Sequence, residues 1–327
     1  MMRSAGSAMN TIPLIFNERQ INRTVIGGRV QPSEVTMDVS VVLLNSNGSH
    51  FRMQTLETLS KCGFASIISI EPDSGNFNIE EISRRLPSVK FIIPLEKVTD
   101  GDMINIGMSE VQSSYVLVLR NSLHISALVL QPRLAEHLTV KGNYCIVPRL
   151  LDSSQNALPV QFSPSAHRGH FKIIPSAVVT DGVQTLYPFD YVGLYNRMKF
   201  IQLGGFDYTI TSPYYQNLDL ALRSWLWGEE TTLSTTFLLS YDESVPIEDM
   251  TADLTYLHFY LKNLLPRVRF DRGVIPDASF MTFLVHSSCG FFESRKQFRD
   301  AQRWVNTNKF RFHTDIQHLI ENWVPDK

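Results

Sequence analysis

Apolar runs alternate with helical patterns through the first half of the chain. Residues 39–44 are apolar except for Ser40, the turn-forming Asn47-Gly48-Ser49 follows, and residues 53–59 then repeat apolar positions at helical spacing. The further predicted elements are strands at 65–70, 89–93 and 115–119 and helices at 79–86 and 103–111. Strands that are apolar on both faces and alternate with helices are typical of a parallel sheet covered by helices, so the pattern predicts an α/β fold.

The second half of the chain is less regular and more helical. Short strand-like pieces at 144–147 and 172–174 lie among prolines, which predicts loop-rich insertions. Leu218, Leu222 and Trp225 share one helical face, which predicts a helix over 214–227. Further helices are predicted at 251–265, 298–304 and 314–323. We therefore divide the chain into an irregular, loosely held N-terminal extension (1–35), an α/β domain (36–245) and a helical C-terminal segment (246–327).

Composition narrows the class of protein and of partner. The 327 residues carry 30 Lys and Arg against 32 Asp and Glu, an ordinary globular balance without a basic block, which argues against a nucleic-acid partner. Cys62, Cys145 and Cys289 are few and widely spaced, so we expect neither a disulfide framework nor a zinc knuckle, and a reducing, cytoplasmic location. Arg120 interrupts the most apolar stretch, 115–130, and the N-terminus lacks the long apolar run of a secretory signal, so no membrane-spanning helix is expected.

Six short motifs occur in a defined order between residues 39 and 241. They are residues 39–44, Ile70-Glu71-Pro72-Asp73-Ser74, Gly101–Gly107, Tyr115–Ser122, Gly204-Gly205-Phe206-Asp207 and Tyr214–Arg223. In this order and at this spacing, they resemble the family-two glycosyltransferases of the GT-A fold. The resemblance implies a mixed, mainly parallel sheet flanked by helices. It also implies transfer of a sugar from a nucleotide sugar to a hydroxyl group, with inversion.

The resemblance assigns a nucleotide-sugar site to particular residues. Glu71 and Asp73 correspond to the acidic motif that contacts the base, although two carboxylates at this junction could simply be solvated and cap the next helix. Asn105 and Gly107 correspond to the helix start that packs below the nucleotide, although a glycine there could simply let helix and sheet approach closely. Ser122 belongs to the motif that ends the strand at 115–119.

That last motif departs from the family. The family has Asp-x-Asp here and uses it to bind a divalent metal, whereas this chain has Arg120-Asn121-Ser122. Because a guanidinium repels a cation, we expect no divalent metal. Arg120 could instead meet the diphosphate directly, with further positive charge from His167-Arg168-Gly169-His170, or the metal site could have decayed, with Arg120 facing solvent or an acidic neighbour.

A second departure affects the catalytic base. The family begins the helix after Gly-Gly-Phe-Asp with a Glu-Asp pair, one of which takes the proton from the acceptor hydroxyl; here Gln216 and Asn217 occupy those positions. Amides keep the shape of the carboxylates but do not act as bases near neutral pH. The resemblance implies that Asp207 and Asp219 lie near the acceptor, which leaves Asn217, Asp219 and Asp207 as the candidate catalytic positions.

Three functional hypotheses remain open at this point. The chain could bind a nucleotide sugar with degenerate metal and base sites, it could be an inactive binding or scaffolding module, or it could be an active metal-independent transferase that uses Arg120. The acceptor could be a carbohydrate or a protein.

Basic residues interleave with the aromatic residues of the tail, which favours core packing with a solvated face or, less readily, contact with a membrane surface or a partner. The tail aromatics are Phe291, Phe292, Phe298, Trp304, Phe310, Phe312 and Trp323.

Overall fold

The computed structural model describes most of the chain between residues 19 and 323. The described ranges are 19–32, 34–45, 52–71, 78–126, 129–168, 170–177, 180–242, 244–287 and 289–323. The predicted turn Asn47-Gly48-Ser49 lies outside them. Across these ranges, we find no helix with the length and apolar character needed to cross a lipid bilayer.

The described residues form thirteen strands and ten α-helices. The strands are β1 (Arg23–Gly27), β2 (Val39–Leu44), β3 (Ser66–Ile70), β4 (Val89–Pro94), β5 (Tyr115–Arg120), β6 (Leu123–His124), β7 (Cys145–Leu151), β8 (Gln161–His167), β9 (His170–Ser176), β10 (Gly193–Asn196), β11 (Thr231–Tyr241), β12 (Arg267–Arg269) and β13 (Arg272–Val274). The helices are α1 (Arg52–Ser60), α2 (Ile79–Arg85), α3 (Asp100–Glu110), α4 (Pro132–Thr139), α5 (Arg197–Leu203), α6 (Pro213–Leu226), α7 (Tyr256–Phe259), α8 (Ser279–His286), α9 (Phe291–Asn308) and α10 (Ile316–Asn322). Two 3-10 turns, Phe189–Tyr191 and Lys309–Arg311, and one π-helical turn, Tyr260–Leu264, complete the described elements.

One mixed sheet forms the centre of the fold. Its strands follow the order β1-β4-β3-β2-β5-β10-β7-β11-β6 within the described part of the chain. The neighbours β4, β3, β2 and β5 run parallel, and every residue of β2 is buried, which explains why this strand is apolar on both faces. Beyond β5 the strands alternate in direction, except that β11 runs parallel to β7. The predicted α/β class is confirmed.

The parallel strands bring three polar residues to one edge of the sheet. Arg120 ends β5 opposite Leu44 of β2, so Arg120, Asn45 and Glu71 all lie at the carboxyl ends of neighbouring strands. The chain continues outward in opposite directions from β2 and β5, and open α/β sheets bind ligands in the crevice at such a point. The candidate site is therefore at this edge.

Two helices cover the site edge and fix its position. Helix α3 begins with a capping box between Thr99 and Asp102 and packs on β2. A Cβ at Gly107 would lie 2.6 Å from Val42 Cγ2, so this close approach of helix and sheet requires glycine. Helix α6 is capped by Ser212 and buried along nearly its whole length.

The C-terminal segment packs into the same hydrophobic core as the sheet. One cluster of buried side chains includes Val42 of β2 together with Leu261, Phe298 and Trp304 of the C-terminal segment. The helix predicted at 251–265 is instead α7 followed by the π turn, and the helix predicted at 298–304 extends over Phe291–Asn308. The expected irregular extension contributes the strand β1, which pairs antiparallel with β4 and uses an edge that would otherwise be open.

Candidate functional site

Arg120 is held by two carboxylates at the site edge. Its Nη2 atom lies 2.7 Å from Asp100 Oδ2 and 2.9 Å from Asp190 Oδ1, and its Nε donates to the Asp190 carbonyl oxygen at 3.3 Å. Only 12% of the Arg120 side chain is exposed. Burial lowers the pKa of Arg120, but the charges of Asp190 and Asp100 more than offset this and raise the pKa above its ordinary value. The guanidinium is therefore a permanent, internally neutralised cation.

The turn that carries Asp190 is strained. Asp190 and Tyr191 have φ angles of 51° and 63°, a left-handed conformation that non-glycine residues rarely adopt. Such residues cost on the order of 1–3 kcal/mol each and persist where surrounding contacts hold them. Arg120 provides such contacts to the Asp190 side chain and carbonyl, and the Tyr241 hydroxyl donates to Asp190 Oδ2 at 3.2 Å. Burial raises the pKa of Asp190.

The two amides at the start of α6 both bond to the protein backbone. Asn217 Nδ2 donates to the carbonyl oxygen of Pro188 at 2.7 Å. Gln216 Oε1 accepts from the backbone N–H of Gly101 at 3.1 Å, and its Nε2 donates to the Asp207 carbonyl oxygen at 3.0 Å. The amides therefore contact the same two segments, the start of α3 and the 188–191 turn, that supply the partners of the strand-end arginine. Arg120, Gln216 and Asn217 therefore contact the same part of the molecule.

Asp207 and Asp219 lie beneath the site in a fully buried ionic cluster. Lys262 Nζ, from the π turn, lies 2.7 Å from Asp207 Oδ2 and 3.2 Å from Asp219 Oδ1, and all three side chains have no exposed surface. Arg223 and Asn263 donate to Asp219 at 2.8 and 2.7 Å. Burial raises the pKa of Asp207, but Lys262 and hydrogen bonds outweigh this and lower it to about 2. The Asp207 carboxylate is therefore ionised, and both carboxylates are engaged in ion pairs and hydrogen bonds.

Glu71 is also buried and bonded at the end of β3. Its Oε1 accepts hydrogen bonds from Asn45 Nδ2 at 3.1 Å and from Ser69 Oγ at 2.9 Å. Asp73, its predicted companion, lies outside the described residues. A contact between Glu71 and a nucleotide base stays a prediction.

The other predicted donor-site residues have structural contacts. Asn105 pairs with the backbone of Phe206 through two hydrogen bonds, with Nδ2 donating at 2.9 Å and Oδ1 accepting at 3.0 Å, and so ties α3 to the loop before Asp207. Ser122 accepts a backbone hydrogen bond from Asp242 at 3.0 Å. Their roles towards a nucleotide sugar stay predictions.

Two of the histidines considered from the sequence lie away from these contacts, whereas His258 adjoins the buried cluster through Thr209. His167, Arg168 and His170 are exposed at the turn between β8 and β9, and Gly169 lies outside the described residues. His258 is partly buried, and its Nδ1 lies 3.1 Å from Thr209 Oγ1. In the described part of the chain, no three His, Cys, Asp or Glu side chains are grouped so that they could hold a metal ion.

Sequence reasoning missed four charged residues around the site. Asp100, Asp190 and Lys262 are the partners described above, and Glu248 accepts a hydrogen bond from the Tyr187 hydroxyl at 2.7 Å. Burial, reinforced by Asp190, raises the pKa of Glu248 to about 7. Lys262 could have been suspected because it interrupts an apolar helical pattern. The others lie in loops or at a helix start, and the sequence does not show which side chains they meet.

Known sequences and structures can now be compared with this arrangement. No protein-family model and no curated protein sequence matches the chain. A crystal structure of GalNAc-T7 with UDP, GalNAc and Mn2+ is similar, with a TM-score of 0.56 and 13% identity, over 87% of this chain and 56% of that one. The chain therefore spans little more than half the length of GalNAc-T7. A crystal structure of S. aureus TarS 1-349 in complex with UDP-GlcNAc has a TM-score of 0.50 and 10% identity, over 82% of this chain and 72% of that one.

At this level of identity, the comparison concerns the fold. The parallel block β4-β3-β2-β5, the antiparallel strands beyond it and the flanking helices match the architecture of these glycosyltransferases. The fold predicted from the sequence motifs is confirmed: the chain has the GT-A glycosyltransferase fold.

Proposed function

We propose that this protein is a non-catalytic member of the GT-A fold that binds a nucleotide sugar without turning it over. The observation that carries the proposal is that Arg120, Gln216 and Asn217, which the sequence resemblance assigns to the metal-binding and base positions, are all engaged in internal contacts. Binding and scaffolding functions need the shape of the cleft, whereas transfer also needs charge that stabilises the leaving diphosphate and a group that accepts a proton.

The residues at the end of β5 do not fit a divalent cation. A metal ion prefers carboxylate oxygens, but the two nearest carboxylates, Asp100 and Asp190, are bound to Arg120 at 2.7 and 2.9 Å. An ion placed among them would also meet the guanidinium charge. We therefore assign no metal to this position and derive no step through one.

The residues at the start of α6 do not supply a base. Asn217 directs its donor group at a carbonyl oxygen and carries no titratable proton acceptor. Asp207 and Asp219 are carboxylates, but both are buried and neutralised by Lys262, and the lowered pKa of Asp207 makes it a weak base. We assign structural roles to all three residues.

Nucleotide sugars are the ligands to test first. The structures of GalNAc-T7 and TarS were determined with UDP and UDP-GlcNAc. In this chain, the candidate edge of the sheet carries Asn45 and Glu71. Without a cation to neutralise the diphosphate, we expect binding that is weak and independent of Mn2+.

One observation favours a second candidate, an active metal-independent transferase. The strained turn at Asp190 and Tyr191 stores energy that a rearrangement could release, and such a rearrangement would free Arg120 to face the diphosphate. This candidate predicts donor cleavage that depends on Arg120.

Calorimetry and a donor-hydrolysis assay distinguish these functions. The protein is titrated with UDP- and GDP-sugars, with and without Mn2+, and release of free sugar is measured over the same conditions. Our proposal expects heat of binding without sugar release. Release that Arg120→Ala abolishes and the exposed control Arg133→Ala on α4 retains would replace it with the metal-independent transferase. Absence of any binding would leave only a scaffolding role.

A further inference from the structure

The outer face of α9 carries exposed side chains that the core does not use. Its residues recur every three or four positions and so lie along one helical face, which continues into the 3-10 turn that follows. We call this face the α9 stripe; it consists of Phe292, Lys296, Arg299, Arg303, Asn306 and Phe310, all of them exposed. The opposite face of the helix packs inward through Phe298, Ala301 and Trp304.

A large apolar side chain lies at each end of the α9 stripe. Phe292 is 86% exposed and Phe310 is 69% exposed. Phe270, at the turn between β12 and β13, is 96% exposed, and Arg272 of the same hairpin lies 5.2 Å from the centre of the Phe310 ring. Exposed aromatic residues that cluster in this way mark interaction surfaces more often than isolated ones do.

The neighbouring helix α8 adds apolar surface at the Phe292 end. Met281 and Val285, one turn apart on α8, are both exposed. The rings of Phe280 and Phe291 are 6.0 Å apart, and those of Phe291 and Phe292 are 5.7 Å apart, so this surface adjoins the stripe.

The charge of the α9 stripe identifies the partner. The stripe combines three basic side chains with no acidic one, and Asp300, which pairs with Arg303 at 3.2 Å, is largely buried. A second copy of the chain would bring the same positive stripe against it and be repelled. Basic side chains that surround phenylalanines are instead suited to a lipid surface with anionic headgroups.

We propose that the α9 stripe docks the protein on an anionic membrane surface. The helix of 18 residues is about 27 Å long and would lie flat, with a phenylalanine inserted among the headgroups near each end and the basic side chains against the phosphates. The proposal does not depend on whether the GT-A cleft binds a nucleotide sugar, because the stripe is formed by the C-terminal segment alone.

Vesicle sedimentation of the full chain tests the proposal. We expect binding to vesicles of phosphatidylcholine mixed with phosphatidylserine, little binding to phosphatidylcholine alone, and loss of binding at high salt. Each basic group near an anionic surface contributes about fivefold, so the double charge reversal Lys296→Glu/Arg299→Glu should weaken binding at least about 30-fold. Phe292→Ser should weaken it roughly tenfold.

Control variants at other exposed positions and a measurement of the oligomeric state complete the test. Arg84→Glu on α2 and Val140→Ser after α4 alter exposed residues of the same types elsewhere and should leave binding unchanged. All these positions are exposed, so thermal unfolding should not change and a folding defect would be recognised directly. Equal binding to neutral and anionic vesicles, absence of binding to both, or a concentration-dependent dimer that Phe292→Ser dissolves would each overturn the proposal.

Discussion

Removing the charge of Lys262 should be among the most destabilising single changes in the molecule. Lys262→Met keeps most of the side-chain volume but leaves Asp207 and Asp219 without their shared cation at 2.7 and 3.2 Å. Breaking a buried ion pair from one side costs about 3–5 kcal/mol because the remaining charge stays buried without compensation. We expect a loss of this size in the free energy of unfolding at neutral pH, measured by urea denaturation.

The cost should fall mainly on Asp207. Asp219 keeps its hydrogen bonds from Arg223 and Asn263, whereas Asp207 keeps only those from the backbone N–H and hydroxyl of Thr209. The double variant Lys262→Met/Asp207→Asn should therefore recover most of the lost stability, since the amide oxygen can still accept from Thr209 and position 207 no longer carries an uncompensated charge.

Measurements at acid pH provide an independent check that the loss of stability comes from the charge of Asp207. In the wild-type protein the pKa of Asp207 is lowered from 3.8 to about 2, so its contribution to stability is present above pH 3.8 and is lost as the pH falls towards 2. Without Lys262 the pKa of this carboxyl rises, so the deficit of the variant should shrink as the pH is lowered from neutral towards 4.

An exposed ion pair serves as the control. Arg85 pairs with Glu81 on the exposed face of α2, and Arg85→Met should cost less than about 1 kcal/mol. If Lys262→Met costs no more than this control, or if Asp207→Asn fails to rescue it, our account of a charged cluster beneath the site is wrong.

Three further changes test the site and its support. Asn217→Asp turns a carboxylate towards the backbone oxygen that the amide now meets at 2.7 Å, so the free energy of unfolding should fall by about 1–3 kcal/mol at neutral pH. The loss should be smaller in acid, where the carboxyl is protonated. The variant should release no sugar in the hydrolysis assay. The pKa of Glu248 is raised from 4.5 to about 7, so the wild type should lose stability as the pH rises through this interval. Glu248→Gln should not show this loss. Melting temperatures measured below and above the interval would reveal the difference. Gly107→Ala should cost about 1–3 kcal/mol in urea denaturation because its Cβ would meet the buried Val42, whereas Gly290→Ala, with open space around it, should cost nothing comparable.

The sequence predicted the parallel strands well because their burial leaves a direct trace. Every residue of β2 is buried, so the run of apolar residues at 39–44 could hardly be anything but a central strand. The resemblance to family-two glycosyltransferases assigned Arg120 and Glu71 to one site, and the structure brings both to the carboxyl ends of neighbouring strands. The order of these elements predicted the α/β class, and the resemblance of the six motifs to family-two glycosyltransferases predicted the GT-A fold.

The partners of Arg120 could not be predicted in the same way. Asp100 and Asp190 lie 20 and 70 residues away along the chain and reach it through a helix start and a strained turn. Neither periodicity nor composition specifies a loop conformation that is stabilised only by the completed fold. The sequence left open whether Arg120 meets a diphosphate, solvent or an acidic neighbour, and in the structure it pairs with Asp100 and Asp190.

The aromatic tail illustrates a different limit. Helical spacing alone does not distinguish Phe298 from Phe292, yet Phe298 is buried and Phe292 is 86% exposed. Which face of a helix turns inward depends on what it packs against, here β13, the π turn and α8. Periodicity predicts that such a helix has a buried face and an exposed face, but it does not identify the elements of the same chain that cover the buried one.

Lys262 follows Asp207 and Asp219 in the sequence, and this order has a consequence for folding during synthesis. The ribosome releases a chain from its N-terminus, so Asp207 and Asp219 emerge before the lysine that neutralises them. Until Lys262 has been synthesised, closing the core would bury Asp207 without the cation that neutralises it. We therefore expect the nascent sheet to stay open, and exposed to chaperones, until Lys262 has left the ribosome.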